Sequence, residues 1–302
     1  MARTEKIIDQ ITELKRLKDA IILAHNYQIP EVQDIADYVG DSLGLSIRAQ
    51  ESQANIIVFC GVLFMAETAS ILCPNQTVLL PEPSAGCPLA NMISESEVLN
   101  LRKKHPQAAV VCYINSSAEV KAVSDVCCTS ANAVQVVNSL KAEEIIFVPD
   151  KYLGSYVQTQ TDKKIILADG FCPTHQTFIP EKIIALKEKH PGALFLTHPE
   201  SNPETLALAD FIGSTSGMLQ FAAQHDGPFI VGTESGLMHR LQQKNPDQLF
   251  IHGSANAICP NMKKTTLEKV LWSLQDMQHE IKIEEPLRSQ AKQAIDRMLQ
   301  IK

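Results

Sequence analysis

The sequence lacks the features that would point to a membrane or to a nucleic acid. None of its apolar stretches approaches the ~20 residues needed to cross a bilayer, and its charged N-terminal segment has no signal-peptide apolar block. It also lacks a basic cluster, and its net charge of −7 gives nucleic-acid binding little support. We therefore expect a cytoplasmic protein that binds neither membranes nor nucleic acids.

The eight cysteines include no C-x-x-C pair, which is the local spacing that structural zinc sites often use. Cys60 and Cys112 lie inside apolar strand-like runs and are interpreted as small buried hydrophobic residues. Cys73, Cys127 and Cys128 are assigned structural roles by default. The other three cysteines, Cys87, Cys172 and Cys259, are spaced 85 and 87 residues apart, and each of them, like Cys73, is followed by proline.

The spacing of these Cys-Pro pairs indicates an internal repeat of roughly 86 residues in a chain of 302, long enough for two or three domains. Three apolar runs in one register each end in polar residues, and they are AIILAHNYQ, AAVVCYINS and ALFLTHPES. Two more strand-like runs follow in each copy, separated by helical stretches such as PEVQDIADYV. The predicted unit is β-α-α-β-α-β followed by a cysteine loop, a pattern typical of parallel sheets.

The sequence therefore predicts an α/β fold of three similar small units in a pseudo-threefold arrangement around a central metal-cluster site. The expected units span residues 20–104, 105–190 and 191–265, and they contain Cys87, Cys172 and Cys259 respectively. Residues 1–19 and 266–302 are expected to form flanking helices that pack beside one another.

Polar residues recur at intervals of 88 and 85 residues in three registers. These registers are His25, Tyr113 and His198; Tyr27, Asn115 and Glu200; and Ser42, Ser130 and Thr215. The first two follow the first strand of each unit, where parallel sheets bind ligands. The third precedes predicted helices, where hydroxyls and free amides bind anions. Duplicated units would also inherit duplicated helix caps, but three polar registers beside a cysteine register favour a site on the threefold axis.

Three single cysteines far apart in the chain fit a [4Fe–4S] cluster in which one iron has no protein ligand. An iron of this kind acts as a Lewis acid, which favours dehydration chemistry over electron transfer. A zinc site built from three cysteines and a histidine stays open as an alternative at this point.

Nine motifs between about residues 20 and 270 resemble those of the quinolinate synthase family, and they are AHNYQ, GDSLGLS, PEPSAGCPLA, VVCYINSSAEVKA, FCPTH, THPE, GSTSGM, VGTESGL and ANAICPNMKK. The resemblance implies three units around one [4Fe–4S] cluster per chain. It also implies a transferase that condenses iminosuccinate (iminoaspartate) with dihydroxyacetone phosphate to quinolinate, phosphate and water in de novo NAD biosynthesis. A transient contact with the enzyme that supplies iminoaspartate is expected.

The resemblance also implies roles for individual residues. It makes Cys87, Cys172 and Cys259 the cluster ligands, with His175 a weaker candidate nearby. The implied substrate contacts are His25, Ser42, Tyr113, Ile114, Asn115, Ser130, His198, Pro199, Glu200 and Thr215. Tyr27 matches a tyrosine implicated in the chemistry, and from the proton transfers that the reaction needs we expect His25, Tyr113, His198 and Glu200 to be catalytic as well, with Glu200 as the base. Some family members carry a C-x-x-C-x-x-C segment where this chain has CPNMKK, so a thiol–disulfide switch there is expected to be missing.

Two other functions compete with this interpretation. A hydro-lyase of the aconitase type would use the same kind of cluster without a phosphorylated substrate, but its local C-x-x-C spacing is absent. A non-catalytic metal or redox sensor would keep its cysteines without needing Tyr27, Asn115 and Glu200 to face the metal.

Overall fold

Three four-stranded parallel sheets form the body of the chain in a computed structural model that describes residues 2–301. The three sheets share one strand order, in which the first strand of a unit lies between the second and the third. Every strand pair within the sheets is parallel. The α/β class with three similar units is thereby confirmed.

The strands are short, and the third strand of each sheet is almost completely buried because helices cover both faces of a parallel sheet. The first sheet contains β1 (Ala20–His25), β2 (Tyr38–Gly40), β3 (Ile56–Cys60) and β4 (Thr77–Leu79). The second contains β5 (Ala109–Tyr113), β6 (Val126–Cys128), β7 (Glu144–Val148) and β8 (Lys164–Leu167). The third contains β9 (Leu194–Thr197), β10 (Phe211–Ile212), β11 (Phe229–Gly232) and β12 (Phe250–His252).

Helices connect the strands and close both ends of the chain. The first four are α1 (Ala2–Lys18), α2 (Pro30–Asp34), α3 (Ser42–Glu51) and α4 (Leu63–Leu72). The next five are α5 (Glu95–Lys104), α6 (Ala118–Ala122), α7 (Ala133–Ser139), α8 (Lys151–Gln158) and α9 (Pro180–Lys189). The last five are α10 (Pro203–Leu206), α11 (Thr215–Gln224), α12 (Leu237–Lys244), α13 (Leu267–Asp276) and α14 (Leu287–Gln300). Three 3₁₀ helices lie at Leu89–Asn91, His175–Thr177 and Met262–Lys264.

Each sheet has a short edge strand that the predicted β-α-α-β-α-β unit did not contain. In the first unit the stretch PEVQDIADYV forms a helix only over Pro30–Asp34, and its end enters β2. The equivalent strands β6 and β10 have three and two residues. Runs this short carry no measurable hydrophobic period, so the sequence pattern did not separate them from the preceding helical turn.

The hydrophobic core is divided unequally among the units. One cluster consists of buried residues from the first two units and from α14. Among the described residues, Met262 is the only buried residue that the third unit contributes to this cluster. Two smaller clusters lie in the third unit around Phe229 and Phe195, and the second of them also takes Phe178 and Ile183 from the end of the second unit. The first two units therefore share an apolar interior, whereas the third unit packs mainly on its own strands and on α9.

The flanking helices pack on different units. Helix α13 lies against α1 beside the first sheet, as expected. Helix α14 instead lies against α6, β6 and α4, where it buries Ala291, Ala294, Ile295 and Met298. The expectation that both C-terminal helices would pack beside the N-terminal helix is therefore correct for α13 and wrong for α14. None of the helices in residues 2–301 combines the length and the apolar character that a membrane span requires.

Candidate functional site

The carboxyl ends of the three sheets surround one cavity, with about 690 Å³ of empty space when its opening to solvent is included. The registers that begin with His25 and Tyr27 lie at the carboxyl ends of the first strands β1, β5 and β9, and the hydroxyl register follows the short strands β2, β6 and β10. The predicted site residues that line the cavity are His25, Tyr27, Ser42, Cys87, Tyr113, Asn115, Ser130, Cys172, His175, His198, Glu200, Thr215 and Cys259. Ile114 and Pro199 are buried beside these residues but do not line the cavity.

The Cys-Pro pairs at Cys87, Cys172 and Cys259 each begin a turn that directs backbone amides toward the sulfur atom, whereas Cys73-Pro74 lies at the end of α4. A short 3₁₀ helix follows each of the three cysteines. The amides two and three residues further on donate to the sulfurs of Cys87 and Cys259, and the amide of His175 donates to the sulfur of Cys172. Proline fits directly after the cysteine because the first position of such a turn needs no N–H donor. The recurring Cys-Pro thus builds the same sulfur-binding turn three times.

The three thiols are held in surroundings that disfavour an uncompensated negative charge. Burial raises the pKa of all three, and that of Cys87 rises to about 12, to which the nearby Glu200 and Cys259 also contribute. A thiolate is stable here only if a positively charged partner accompanies it. The cavity is therefore suited to a cationic centre among the sulfurs.

The spacing of the ligand atoms distinguishes two kinds of metal centre. Among the His, Cys, Asp and Glu side chains of residues 2–301, one set of three has its possible metal-ligating atoms all within 4.8 Å of one another. This set is Cys172, His175 and Glu200. The sulfurs of Cys87, Cys172 and Cys259 do not form so close a group. A single tetrahedral zinc, with Zn–S bonds of about 2.3 Å, would bring three sulfurs to roughly 4 Å from one another.

His25 and His198 have the same local geometry in the first and third units. The backbone amide of Tyr27 donates to Nδ1 of His25 at 3.1 Å, and that of Glu200 donates to Nδ1 of His198 at 3.3 Å. Burial lowers the pKa of both imidazoles to about 3, so both are neutral near pH 7. Because Nδ1 accepts a hydrogen bond, the proton is on Nε2, and each ring presents an N–H donor.

Glu200 is a buried carboxylate surrounded by polar groups. Its Oε2 lies 2.7 Å from Nδ1 of His175 and 3.4 Å from Nδ1 of His198, and its Oε1 lies 3.5 Å from Nδ2 of Asn115. Burial by itself would raise the pKa of Glu200. The two neighbouring imidazoles and hydrogen bonds from His175 and Tyr113 outweigh burial and lower this pKa to about 2. The group is therefore ionised at neutral pH.

Thr233, which the sequence analysis did not single out, connects two residues of the site. Its Oγ1 lies 2.5 Å from the hydroxyl of Tyr27 and 2.9 Å from Nε2 of His175. Glu234, the next residue, also lines the cavity. Both follow the buried strand β11 in the motif VGTESGL, so the rule that ligands lie at the carboxyl ends of parallel strands could have identified them.

The hydroxyl register lies at helix starts, but none of its three members is the helix cap. Asp41 caps α3 and Ser214 caps α11, each accepting a hydrogen bond from the amide three residues further on. Ser42 and Thr215 occupy the next position, at the edge of the cavity, and Ser130 lies two residues before the cap of α7. The alternative that these hydroxyls serve as caps is therefore wrong for Ser42, Ser130 and Thr215.

Neutral groups provide the anion-binding capacity of the cavity. None of the lysines or arginines in the described residues lines it. The available donors are the two imidazole Nε2–H groups, hydroxyls of Ser, Thr and Tyr, and amides at helix starts. Such an arrangement can hold carboxylates and phosphates without a permanent positive charge.

The family-level relationship extends over almost the whole chain. The family model described as quinolinate synthetase A protein matches residues 9–300. A quinolinate synthase of Methanosarcina barkeri is 54% identical over 298 residues, covering 98% of both chains. A quinolinate synthase of Dehalococcoides mccartyi is 54% identical, and the match covers 98% of this chain and 99% of the relative. A quinolinate synthase of Geotalea uraniireducens is 53% identical, and the match covers 98% of both chains. The chain therefore belongs to the quinolinate synthetase A family.

Proposed function

We propose that this protein is a quinolinate synthase, which condenses iminosuccinate with dihydroxyacetone phosphate to give quinolinate, phosphate and water in de novo NAD biosynthesis. The observation that carries the proposal is the convergence of three single Cys-Pro turns and three polar registers on one cavity. A cytoplasmic location, the unit boundaries 20–104, 105–190 and 191–265, and a transient contact with an iminoaspartate-producing enzyme stay predictions.

The donor set fits one [4Fe–4S] cluster per chain, with Cys87, Cys172 and Cys259 as its ligands. The three buried thiols require a cationic partner, and amides directed at each sulfur are the donors that protein-bound clusters use. The sulfurs are spread more widely than a single zinc would hold them, which favours the cluster over the zinc alternative. When bound, a cluster with three protein ligands supplies one iron as a Lewis acid.

The residues around the cavity suit two anionic substrates. The Nε2–H groups of His25 and His198 would donate to carboxylate or phosphate oxygens. The hydroxyls of Ser42, Ser130 and Thr215 would add donors at the helix starts. Since these donors are neutral, product release does not require breaking an ion pair with the protein.

Glu200 is the proposed base of the reaction. Converting a ketose phosphate into the ring carbons of quinolinate requires moving a proton between adjacent carbons. The ionised carboxylate of Glu200 can accept this proton, and its lowered pKa means that the resulting acid returns the proton readily. Tyr113 and Asn115 would hold the carboxylate in place, with Tyr27 and His25, which line the same cavity, as partners.

The position of these side chains also argues against a metal or redox sensor. Tyr27, Asn115 and Glu200 all line the cavity, although a sensor would gain nothing from placing an ionised carboxylate beside its metal centre. A hydro-lyase with the same cluster would turn over its substrate without dihydroxyacetone phosphate, whereas a quinolinate synthase needs it, so this requirement distinguishes the two functions.

The experiment that tests the proposal measures iron, acid-labile sulfide and quinolinate formation for protein purified without oxygen. About four irons and four sulfides per wild-type chain are expected, with loss of both in Cys172→Ala. Cys60→Ala is the matched control, because Cys60 is fully buried in β3 away from the cavity and should keep the cluster. Zinc in place of iron, metal unaffected by Cys172→Ala, or no quinolinate from the two substrates together would refute the proposal.

A further inference from the structure

Glu234, which lines the cavity, forms an ion pair with Lys263, and both residues lie outside the predicted set of site residues. The ammonium of Lys263 lies 2.9 Å from Oε1 and 3.0 Å from Oε2 of Glu234. The carboxylate is completely buried, whereas the side chain of Lys263 is 22% exposed. Buried carboxylates occur in proteins when charge and hydrogen bonds compensate them, and this one has both.

The pair binds three separate backbone segments. Lys263 directs its third donor to the carbonyl oxygen of Tyr27 at 2.6 Å. Glu234 accepts the amide of Cys259 at 3.0 Å through Oε1 and the amide of Gly236 at 2.7 Å through Oε2. The loop that carries Tyr27 belongs to the first unit, and the other two segments belong to the third. The ion pair thus connects the loop of Tyr27 to the turn of Cys259.

The backbones at this junction approach one another as closely as sterics allow. A Cβ atom added to Gly236 would lie 2.6 Å from the carbonyl carbon and 2.7 Å from the Cα of Tyr27. The side-chain amide of Gln33 also donates to the carbonyls of Gly236 at 2.9 Å and of Gln28 at 2.8 Å. With so little free space, a change in the ion pair moves these segments and is not absorbed by a gap.

We propose that Glu234 and Lys263 are positioning residues that fix the phenol of Tyr27 relative to the sulfur of Cys259. The inference rests on the proposed function, in which Tyr27 meets the substrate and Cys259 holds the cluster. Neither residue of the pair needs to touch the reacting atoms. Each acts through backbone groups, because the two amides and the carbonyl that the pair binds lie within the segments that carry Tyr27 and Cys259.

The test compares variants of the pair with a variant of a similar ion pair elsewhere in the molecule. Lys263→Met removes the ammonium and leaves the Glu234 carboxylate buried without its counter-ion, whereas the double variant Glu234→Gln/Lys263→Met leaves no buried charge. Lys187→Met is the matched control, because the ammonium of Lys187 also contacts a carboxylate, Asp210 at 2.8 Å, and a backbone carbonyl, Leu208 at 3.1 Å. All proteins are prepared anaerobically as holoenzyme.

Three measurements distinguish positioning from a general loss of stability. Lys263→Met should lower kcat by about 10- to 100-fold with a smaller change in KM. Its iron should pass to a ferrous chelator about tenfold faster than iron from Lys187→Met. Peptides covering residues 235–237 and 257–261 should exchange amide hydrogens faster than in the control. The double variant should recover part of the iron retention.

The outcomes separate this inference from the proposed function. Equal iron release, equal hydrogen exchange and equal kcat in Lys263→Met and Lys187→Met would overturn the positioning role. If the wild type makes no quinolinate, the proposed function fails, while iron release and exchange still test the coupling of the two segments. If Lys263→Met does not fold, the charge-free double variant provides the test, and wild-type kcat and exchange in it would overturn the inference.

Discussion

The contact between Tyr27, Thr233 and His175 makes a specific prediction about one hydroxyl group. Thr233→Val removes the Oγ1 that lies 2.5 Å from the Tyr27 hydroxyl and 2.9 Å from Nε2 of His175. Valine has nearly the shape of threonine, so the substitution leaves no large cavity. The nearest remaining partner of the phenol is Nε2 of His175 at 3.5 Å, which is at the limit of a hydrogen bond.

The size of the effect follows from the cost of an unsatisfied buried polar group. Leaving the Tyr27 hydroxyl or the His175 nitrogen without a partner costs about 1–3 kcal/mol. If the transition state bears this loss, kcat falls by about 5- to 150-fold, since about 1.4 kcal/mol corresponds to a factor of ten. Thr233→Ser keeps the hydroxyl and should restore most of the activity.

The assay is the anaerobic rate of quinolinate formation by enzyme samples matched for iron content. Thr205→Val is the control, because Thr205 is equally buried and donates its hydroxyl to the carbonyl of Phe178 at 2.9 Å, away from the cavity. We expect this control to lose stability but to keep its kcat. A Thr233→Val enzyme with wild-type kcat, or a Thr233→Ser enzyme as impaired as Thr233→Val, would refute the reasoning.

Three further predictions concern the base, pH and the C-terminal helix. Glu200→Gln should lower kcat by about 10²- to 10⁴-fold, and turnover within a few-fold of wild type would show that Glu200 is not the base. Because burial lowers the pKa of His25 and His198 to about 3, the unfolded chain binds more protons than the folded chain between about pH 6.5 and 3. Stability in urea should therefore decrease as the pH falls through this range, by up to about 1.4 kcal/mol per pH unit for each histidine, and a flat profile would contradict the assignment. Ile295→Ala, which opens a cavity under α14, should cost about 2–5 kcal/mol in urea unfolding without changing the kcat of folded enzyme, and a cost below about 1 kcal/mol would contradict the packing of this helix.

The repeated sequence pattern carried most of the information about the fold and the site. Strands rich in Ile, Val and Leu with polar residues at their ends are detectable without a structure, because parallel sheets bury both faces and expose their carboxyl ends. The cysteine and polar registers indicated which residues lie together at the carboxyl edges of the three sheets. His25 and Glu200 are 175 residues apart in the chain, and the repeat explains why both line the same cavity.

Contacts between units were beyond the reach of the sequence. The pairing of Lys263 with the carbonyl of Tyr27 joins residues 236 positions apart, and nothing in either local motif specifies the other. The same holds for α14, whose apolar face is evident from the sequence although its partner helix α6 is not. The exact position of the helix caps was also missed, because Ser42 and the preceding Asp41 are both residues that favour helix starts.

The unequal division of the hydrophobic core has a consequence for motion within the molecule. The first and second units share one apolar cluster, so separating them would expose buried hydrocarbon to water. The third unit meets the first at the close-packed junction of Gly236 with Tyr27 and, away from it, through polar contacts such as His239 with Asp34 at 2.7 Å, which water can replace at small net cost. We therefore expect the third unit, together with α9, to rotate as a body about this junction against a rigid pair formed by the other two. Because all three units line the cavity, such rotation would widen and narrow the path by which substrates enter and quinolinate leaves.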